Sequence, residues 1–487
     1  MKKISIDPIT RLEGHGRIDI FLNDAGEVEN AYMVIPELRG FEKFCVGRPV
    51  EEMPRITPRI CGVCPVAHHM ASAKACDAVY NVEIPPLGKK LRELCYAGYY
   101  FEDHNLHFYA LGGPDFVVGP TAPAAERNIL GVINKVGLNI GKEVIKHRSY
   151  GQRIVEIFGG KPIHGVGAIP GGVSKGLSKE EIDELKMMAD SCLEFAKFTI
   201  KIFHDIVLGN KGYVDMILSD PWKMDTYYMG LVDENNHVNF YDGEVRVVDT
   251  KGKEFCKFKP HEYLDHIAEH VEPWSYLKFP YLKNVGWKGI VTGQDSGVYR
   301  VAPLARLNAS DGMATPLAQE EYEKMYETLG GKPAHNTLAF HWARVIEALY
   351  AAEMLVELSN DPDIGGDDYR AIPTETPTEG VGIDEACRGT LIHHYKTDEN
   401  GILTDVNLIV ATVQNNAAIC KSIADAARSV ITKGKKIDEG TLNIVEMAFR
   451  AYDPCYACGT HALPGEMPLT LNIKDKDGNL VQTISRK

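Results

Sequence analysis

The chain has 487 residues, 44% of them hydrophobic, so a sizeable core can be buried over about three domains' worth of length. Fifty-three Lys and Arg against 67 Asp and Glu leave a net charge of −14, whose sign repels phosphate backbones and argues against a nucleic-acid partner. No run of 18 apolar residues occurs, so no membrane span is expected, and the opening MKKISIDPITRLEGHGR reaches Asp7 and Pro8 before a signal-peptide core could form.

Alternating segments at 17–22 and 28–34 flank turn residues and predict a hairpin within an N-terminal β part, 1–50. Helical periodicity follows over 65–80, 89–111 and 124–158, and a Gly- and Pro-rich loop over 159–176. The clearest helix is 178–207, where Ser178 and Glu181 have capping-box spacing and Leu185, Met188, Cys192, Phe195 and Ile200 form a stripe. An irregular insertion with short strands spans 208–310. Helices are predicted over 336–358 and 417–432, with a loop at 361–382 between them. Segments 469–473 and 480–484 around Asp477-Gly478 predict a second hairpin. The fold class is α+β, predominantly α: a large helical-bundle core with small β-sheets from the N- and C-terminal regions.

Eleven cysteines are too sparse, and odd in number, for a disulfide scaffold. Two C-x-x-C pairs stand out, Cys61/Cys64 and Cys455/Cys458, at opposite ends of the chain. A zinc ribbon places its pairs about 15–20 residues apart, and a redox dithiol sits near a βαβ pattern; neither description fits. Four thiolates brought together would make a soft site suited to zinc, iron–sulfur or another thiophilic metal. Arg59 and His68 flank the first pair, and Asp453 and His461 the second. A purely structural zinc site needs no such charges and rings, whereas a site that moves protons does. His266-Ile267-Ala268-Glu269-His270 also fits an inverted zinc-protease pattern, H-x-x-E-H, but its acidic neighbourhood favours a solvated helix face.

Arg59 to His68 matches R-x-C-G-x-C-x-x-x-H, and Asp453 to His461 matches D-P-C-x-x-C-x-x-H. Arg11-Leu12-Glu13-Gly14-His15, Arg39-Gly40-Phe41-Glu42, Pro114-Asp115-Phe116, Arg388-Gly389 and Asn407 to Thr412 also fall in family order. On these motifs the sequence resembles the nickel–iron hydrogenase large subunit, over almost its full length. The resemblance implies that fold, and catalysis of the reversible cleavage of H2 to protons and electrons. It implies nickel and an iron carrying CO and cyanide, with Cys61 and Cys455 as terminal ligands and Cys64 and Cys458 bridging. It also implies a magnesium or iron ion on Glu42 and His461.

The same resemblance makes Glu13 the proton-relay carboxylate beside a terminal cysteine, and Arg388 the cation over the open face between the metals. Thr412 would donate to a cyanide, Asp115 and Asp453 would be the carboxylates near that arginine, and His68 would hydrogen-bond a bridging cysteine. Cys387 stands where family members usually have proline, which relaxes the backbone before Arg388. One centre cannot pass electrons onward alone, so an iron–sulfur small subunit is expected. Further electron-transfer subunits of the flavin/NAD(P), F420, ferredoxin or heterodisulfide reductase type are expected too. The phrasing around the motifs looks most like the cytoplasmic, cofactor-coupled branch. The family's maturation protease cuts after the histidine matched by His461, which makes 1–461 one working unit and 462–487 an extension removed on maturation. The alternative is a complex I-type coupling subunit without H2 chemistry, which has lost the four thiols.

Overall fold

The computed structural model describes residues 2–434, 436–461, 469–474 and 479–486. Lys2–Ile6, Arg17–Leu22 and Val28–Val34 form an antiparallel sheet in chain order, containing the predicted hairpin. Ile18, Ile20 and Met33 are buried and turn its inner face to the core.

Helices make most of the remainder. Phe340–Ser359 is buried on nearly every side and packs on both Pro86–Leu106 and Lys179–Phe203, as an all-round apolar helix must. Lys179–Phe203 begins at the expected capping box: the Ser178 hydroxyl accepts the Glu181 N–H at 3.2 Å, and the Glu181 carboxylate accepts the Ser178 N–H at 2.9 Å. Pro65–Val79 and Asn416–Val430 lie where periodicity puts them.

The expected 124–158 helix is two, Ile129–Val136 and Leu138–Gly159. Asn128 caps the first, and Gly137, at φ +97°, breaks the chain between them. The 361–382 loop ends early, because Glu379–Ala386 opens a three-stranded sheet with Gly389–Thr397 and Leu403–Ile409. This sheet lies against Pro65–Val79 inside the molecule, so β structure is not confined to the chain ends. The 208–310 segment holds a four-stranded sheet, Tyr299–Arg300, Tyr227–Val232, Glu244–Val248 and Glu254–Phe258, closed over its own buried cluster. Helices Pro316–Leu329 and Glu439–Arg450 are additions that the sequence reading does not anticipate. Leu469–Lys474 pairs with Leu480–Arg486 as the second hairpin, although Asp477-Gly478 lies outside the described residues. The result is α+β and mainly helical. Among the described residues no helix is long and apolar enough to cross a membrane.

Candidate metal centre

A 3-10 turn, Thr57–Ile60, delivers Cys61, and Cys64 stands at the N-cap of Pro65–Val79, where Pro65 sits at a position that needs no N–H. Cys455 precedes the short helix Tyr456–Gly459, whose turn brings Cys458 Sγ to 2.9 Å from Cys455 Sγ. Cys61 Sγ lies 3.2 Å from Cys455 Sγ and Cys64 Sγ 3.1 Å from Cys458 Sγ. All four sulfurs fall within 4.8 Å of one another, buried and free of disulfides. The convergence expected from the sequence is present. A buried set of four soft donors, facing only one another and a few polar groups, fits thiophilic metals.

The two chain ends are tied together by the N-terminal segment. The Tyr456 N–H donates to the Glu13 carbonyl at 3.0 Å, and Arg39 donates to the carbonyls of both Ile60 and Ala457. Gly14, at φ +85°, lets the strand approach: a Cβ there would lie 2.8 Å from the Ala457 nitrogen. Arg59 Nη1 reaches His164 Nδ1 at 3.0 Å, and His164 Nε2 lies 2.9 Å from the Cys61 carbonyl. His164 comes from the 159–176 loop, and nothing in its sequence context marks it.

The four sulfurs are not equivalent. The thiols of Cys455, Cys458 and Cys64 donate to Cys61 and hold it well below the ordinary thiol range, with help from the Cys64 N–H. The Val63 and Cys64 amides point at its sulfur from 3.2 and 3.4 Å. Burial pushes Cys455 and Cys458 well above that range. Glu13 Oε2 accepts from Cys455 Sγ at 2.8 Å and from the Ala457 N–H at 3.0 Å. Burial first, and the Cys61 charge second, raise the Glu13 carboxyl above the ordinary carboxylate range. His68 Nε2 is 3.4 Å from Cys458 Sγ, and its other nitrogen meets His393 Nε2 at 3.2 Å. Burial lowers His68 to about 3, so the ring is neutral.

Arg388 occupies the two-residue turn between Glu379–Ala386 and Gly389–Thr397. Its guanidinium forks onto Asp103 at 2.9 and 2.9 Å and lies 2.8 Å from Asp453. The expected neighbour Asp115 is elsewhere. It sits in Gly113–Val117, beyond a π-helical turn after Pro86–Leu106, and pairs with Arg11 at 2.5 Å and Arg450 at 3.2 Å. The carboxylate beside Arg388 is therefore Asp103, one polar residue in a long helix that periodicity alone does not mark. Asp453 is pushed up to about 7 by burial, against the pull of Arg388 and Arg344.

The Thr412 hydroxyl oxygen accepts the Cys455 N–H at 3.0 Å. Glu42 Oε1 accepts the Leu408 N–H at 2.8 Å, His461 Nε2 lies 2.6 Å from the Leu408 carbonyl, and the carboxylate and ring are 3.9 Å apart. His266 and His270 do not share a helix face. The first ends the helix Tyr263–His266 and stacks on Phe258, while the second lies in strand Ile267–Val271 and stacks on Trp287.

Helical core, inner sheet and four converging thiolates are the features of a metal-centred oxidoreductase. The chain belongs to the nickel-dependent hydrogenase family: the family model of that description matches residues 39–130 and 142–461, and one described as HoxL-like matches 3–38. Over 99% of each chain, it is 50% identical to the iron-sulfur subunit of the F420-non-reducing hydrogenase of Archaeoglobus profundus. It is 38% identical to the NAD-reducing hydrogenase HoxS subunit beta of Cupriavidus necator, over 100% of both. Among solved structures, an NAD+-reducing [NiFe]-hydrogenase in the H2-reduced state superposes with a TM-score of 0.89 at 37% identity, covering 95% of this chain and 100% of that one. The four-cysteine cluster is the nickel–iron site of a hydrogenase catalytic subunit, which cleaves H2 reversibly.

Proposed function

We propose that Glu13 carries the proton released at this centre and that Arg388 fixes the charge above it. Bound nickel and iron supply the redox-active Lewis acid at which H2 is split. The observation that carries the reading is the 2.8 Å contact between Cys455 Sγ and Glu13 Oε2. It is a single-proton distance between a sulfur that burial keeps protonated and a carboxyl that burial makes more basic than usual. Two groups of raised proton affinity in contact exchange a proton with little driving-force mismatch. The Ala457 N–H holds the carboxylate in place, and the Thr412 oxygen holds the Cys455 backbone.

Arg388, clamped by Asp103 and Asp453, is a buried fixed cation whose role is to stabilise negative charge at the open face of the metals and to polarise H2. His68 steadies the Cys458 sulfur through its neutral ring. Cys61 and Cys455 are terminal ligands and Cys64 and Cys458 bridging, with the iron carrying CO and cyanide and the Thr412 hydroxyl proton directed to a cyanide. Asp115 acts at a distance, by fixing Arg11 and so the segment that leads to Glu13. Glu42, the Leu408 carbonyl and His461 form an oxygen- and nitrogen-donor set for magnesium or iron.

Electrons leave to an iron–sulfur small subunit, because among the described residues the four-thiol cluster has no second cluster of its kind to receive them. Onward subunits of the flavin/NAD(P), F420, ferredoxin or heterodisulfide reductase type fit the names of the relatives, as does a cytoplasmic location. The working unit is 1–461, with 462–487 removed by a maturation protease. Glu13→Gln in the assembled enzyme tests the central step. H2/D2O exchange should fall by about a hundredfold with nickel content unchanged, and exchange at the parental rate would remove Glu13 from the mechanism.

A further inference from the structure

Behind the metal centre a second buried arginine closes a ring of bonds on Arg388. Arg306, in helix Pro303–Ala309, is fully buried and uses all five of its N–H donors. Nε and Nη2 reach the Glu347 carboxylate at 2.6 and 2.7 Å, and Nη1 reaches Glu385 at 2.7 Å. The two remaining bonds go to the carbonyls of Ala386, at 2.9 Å, and Cys387, at 3.2 Å, the backbone immediately before Arg388. Glu347 also meets His104 Nε2 at 2.9 Å. His104 adjoins Asp103, which takes both terminal nitrogens of Arg388. The ring therefore runs from the Arg388 guanidinium through Asp103-His104, Glu347 and Arg306 back to the peptide that carries Arg388.

A lattice of this kind is a poor source of stability, since apolar side chains of the same volume often serve as well or better. What it supplies is geometry. Arginine is long and rich in rotamers, and a catalytic cation about 1 Å out of place loses much of its effect. Residue 387 is a cysteine, with no ring to fix its backbone, and the Arg306 fork anchors the carbonyls on both sides of its peptide link.

We propose that Arg306 is the positioning residue for Arg388, holding its backbone directly and its guanidinium through Glu347, His104 and Asp103. The inference rests on the reading of Arg388 given above. Its test is a double-mutant cycle in the assembled enzyme, with Arg306→Lys, Arg388→Lys and both together, reading nickel content, kcat and the KM for H2. Lysine keeps the charge but offers three donors and no planar fork.

Arg388→Lys should lower kcat by about a hundredfold and Arg306→Lys by about tenfold, with nickel and KM unchanged. The double variant should equal Arg388→Lys alone, because the effect of Arg306 passes through Arg388. A multiplied loss of about a thousandfold in the double variant, or full kcat in Arg306→Lys, overturns the proposal and leaves Arg388 in its role. Full kcat in Arg388→Lys overturns the reading of Arg388 itself. Should Arg306→Lys fail to assemble, Glu347→Gln, which keeps the side-chain volume, takes its place in the cycle. Loss of nickel from both variants makes the lattice a scaffold for the whole chain and overturns the proposal.

Discussion

The two cysteine pairs have the same spacing and different surroundings. Around Cys61 the groups are donors: two backbone amides and the neighbouring thiols all favour the thiolate. Around Cys455 and Cys458 they are proton-exchanging side chains, the Glu13 carboxyl and the His68 ring, in a pocket whose burial favours the thiol. Spacing thus fixes where the sulfurs go, while the neighbours fix what each can do. The first pair is an anchor held by local backbone, and the second is the half that handles protons, held by residues from across the chain.

Both pairs grip one centre, so the largest effect should ignore the difference. Cys64→Ser and Cys458→Ser should each lower H2 turnover by at least about a thousandfold with nickel lost, and survival of either variant would break the shared-site account. The halves part company on tertiary support. Asp115→Asn leaves Arg11 and Arg450 buried without their carboxylate and should cost about 3–5 kcal/mol in denaturant unfolding. H2/D2O exchange should weaken with it, as the Glu13 segment loosens. Thr412→Val strands the Cys455 N–H and should cost about 1–2 kcal/mol, with a few-fold loss of turnover.

The smallest effect calibrates the burial argument used for Glu13. Glu102, also a mostly buried carboxyl but paired with an arginine rather than a sulfur, is raised from 4.5 to about 7 by burial, against the pull of Arg148. Folded, it holds a proton that the unfolded chain has already released, so its contribution to stability is complete below about pH 4.5 and is lost as pH rises through 7. Glu102→Gln should remove on the order of 1 kcal/mol of that slope, measured by unfolding at pH 5 and pH 8. An unchanged slope would weaken the same argument for Glu13.

Sulfur motifs were legible because a C-x-x-C pair is rare and its partner is found by type alone. Ser178 with Glu181, and the 17–34 hairpin, were legible because capping and turn chemistry are local. The inner sheet was not. Gly389–Thr397 is buried on both faces along most of its length, so its residues lack the alternation that announces a strand. Asp103 and Arg306 were hidden for a related reason: each is one polar residue in a helix, and only the tertiary partner gives it meaning. Asp115 was misplaced because a motif fixes a residue's order in the chain but not which of several buried arginines it meets. The H-x-x-E-H pattern failed as a helix face because a helix gives way to a strand within it.

Nickel K-edge X-ray absorption on the assembled enzyme tests most directly whether both chain ends hold one bimetallic centre. A nickel shell of four sulfurs with a second metal as near neighbour is the expected result, and a shell dominated by nitrogen and oxygen, or one with sulfur from a single pair, would contradict it.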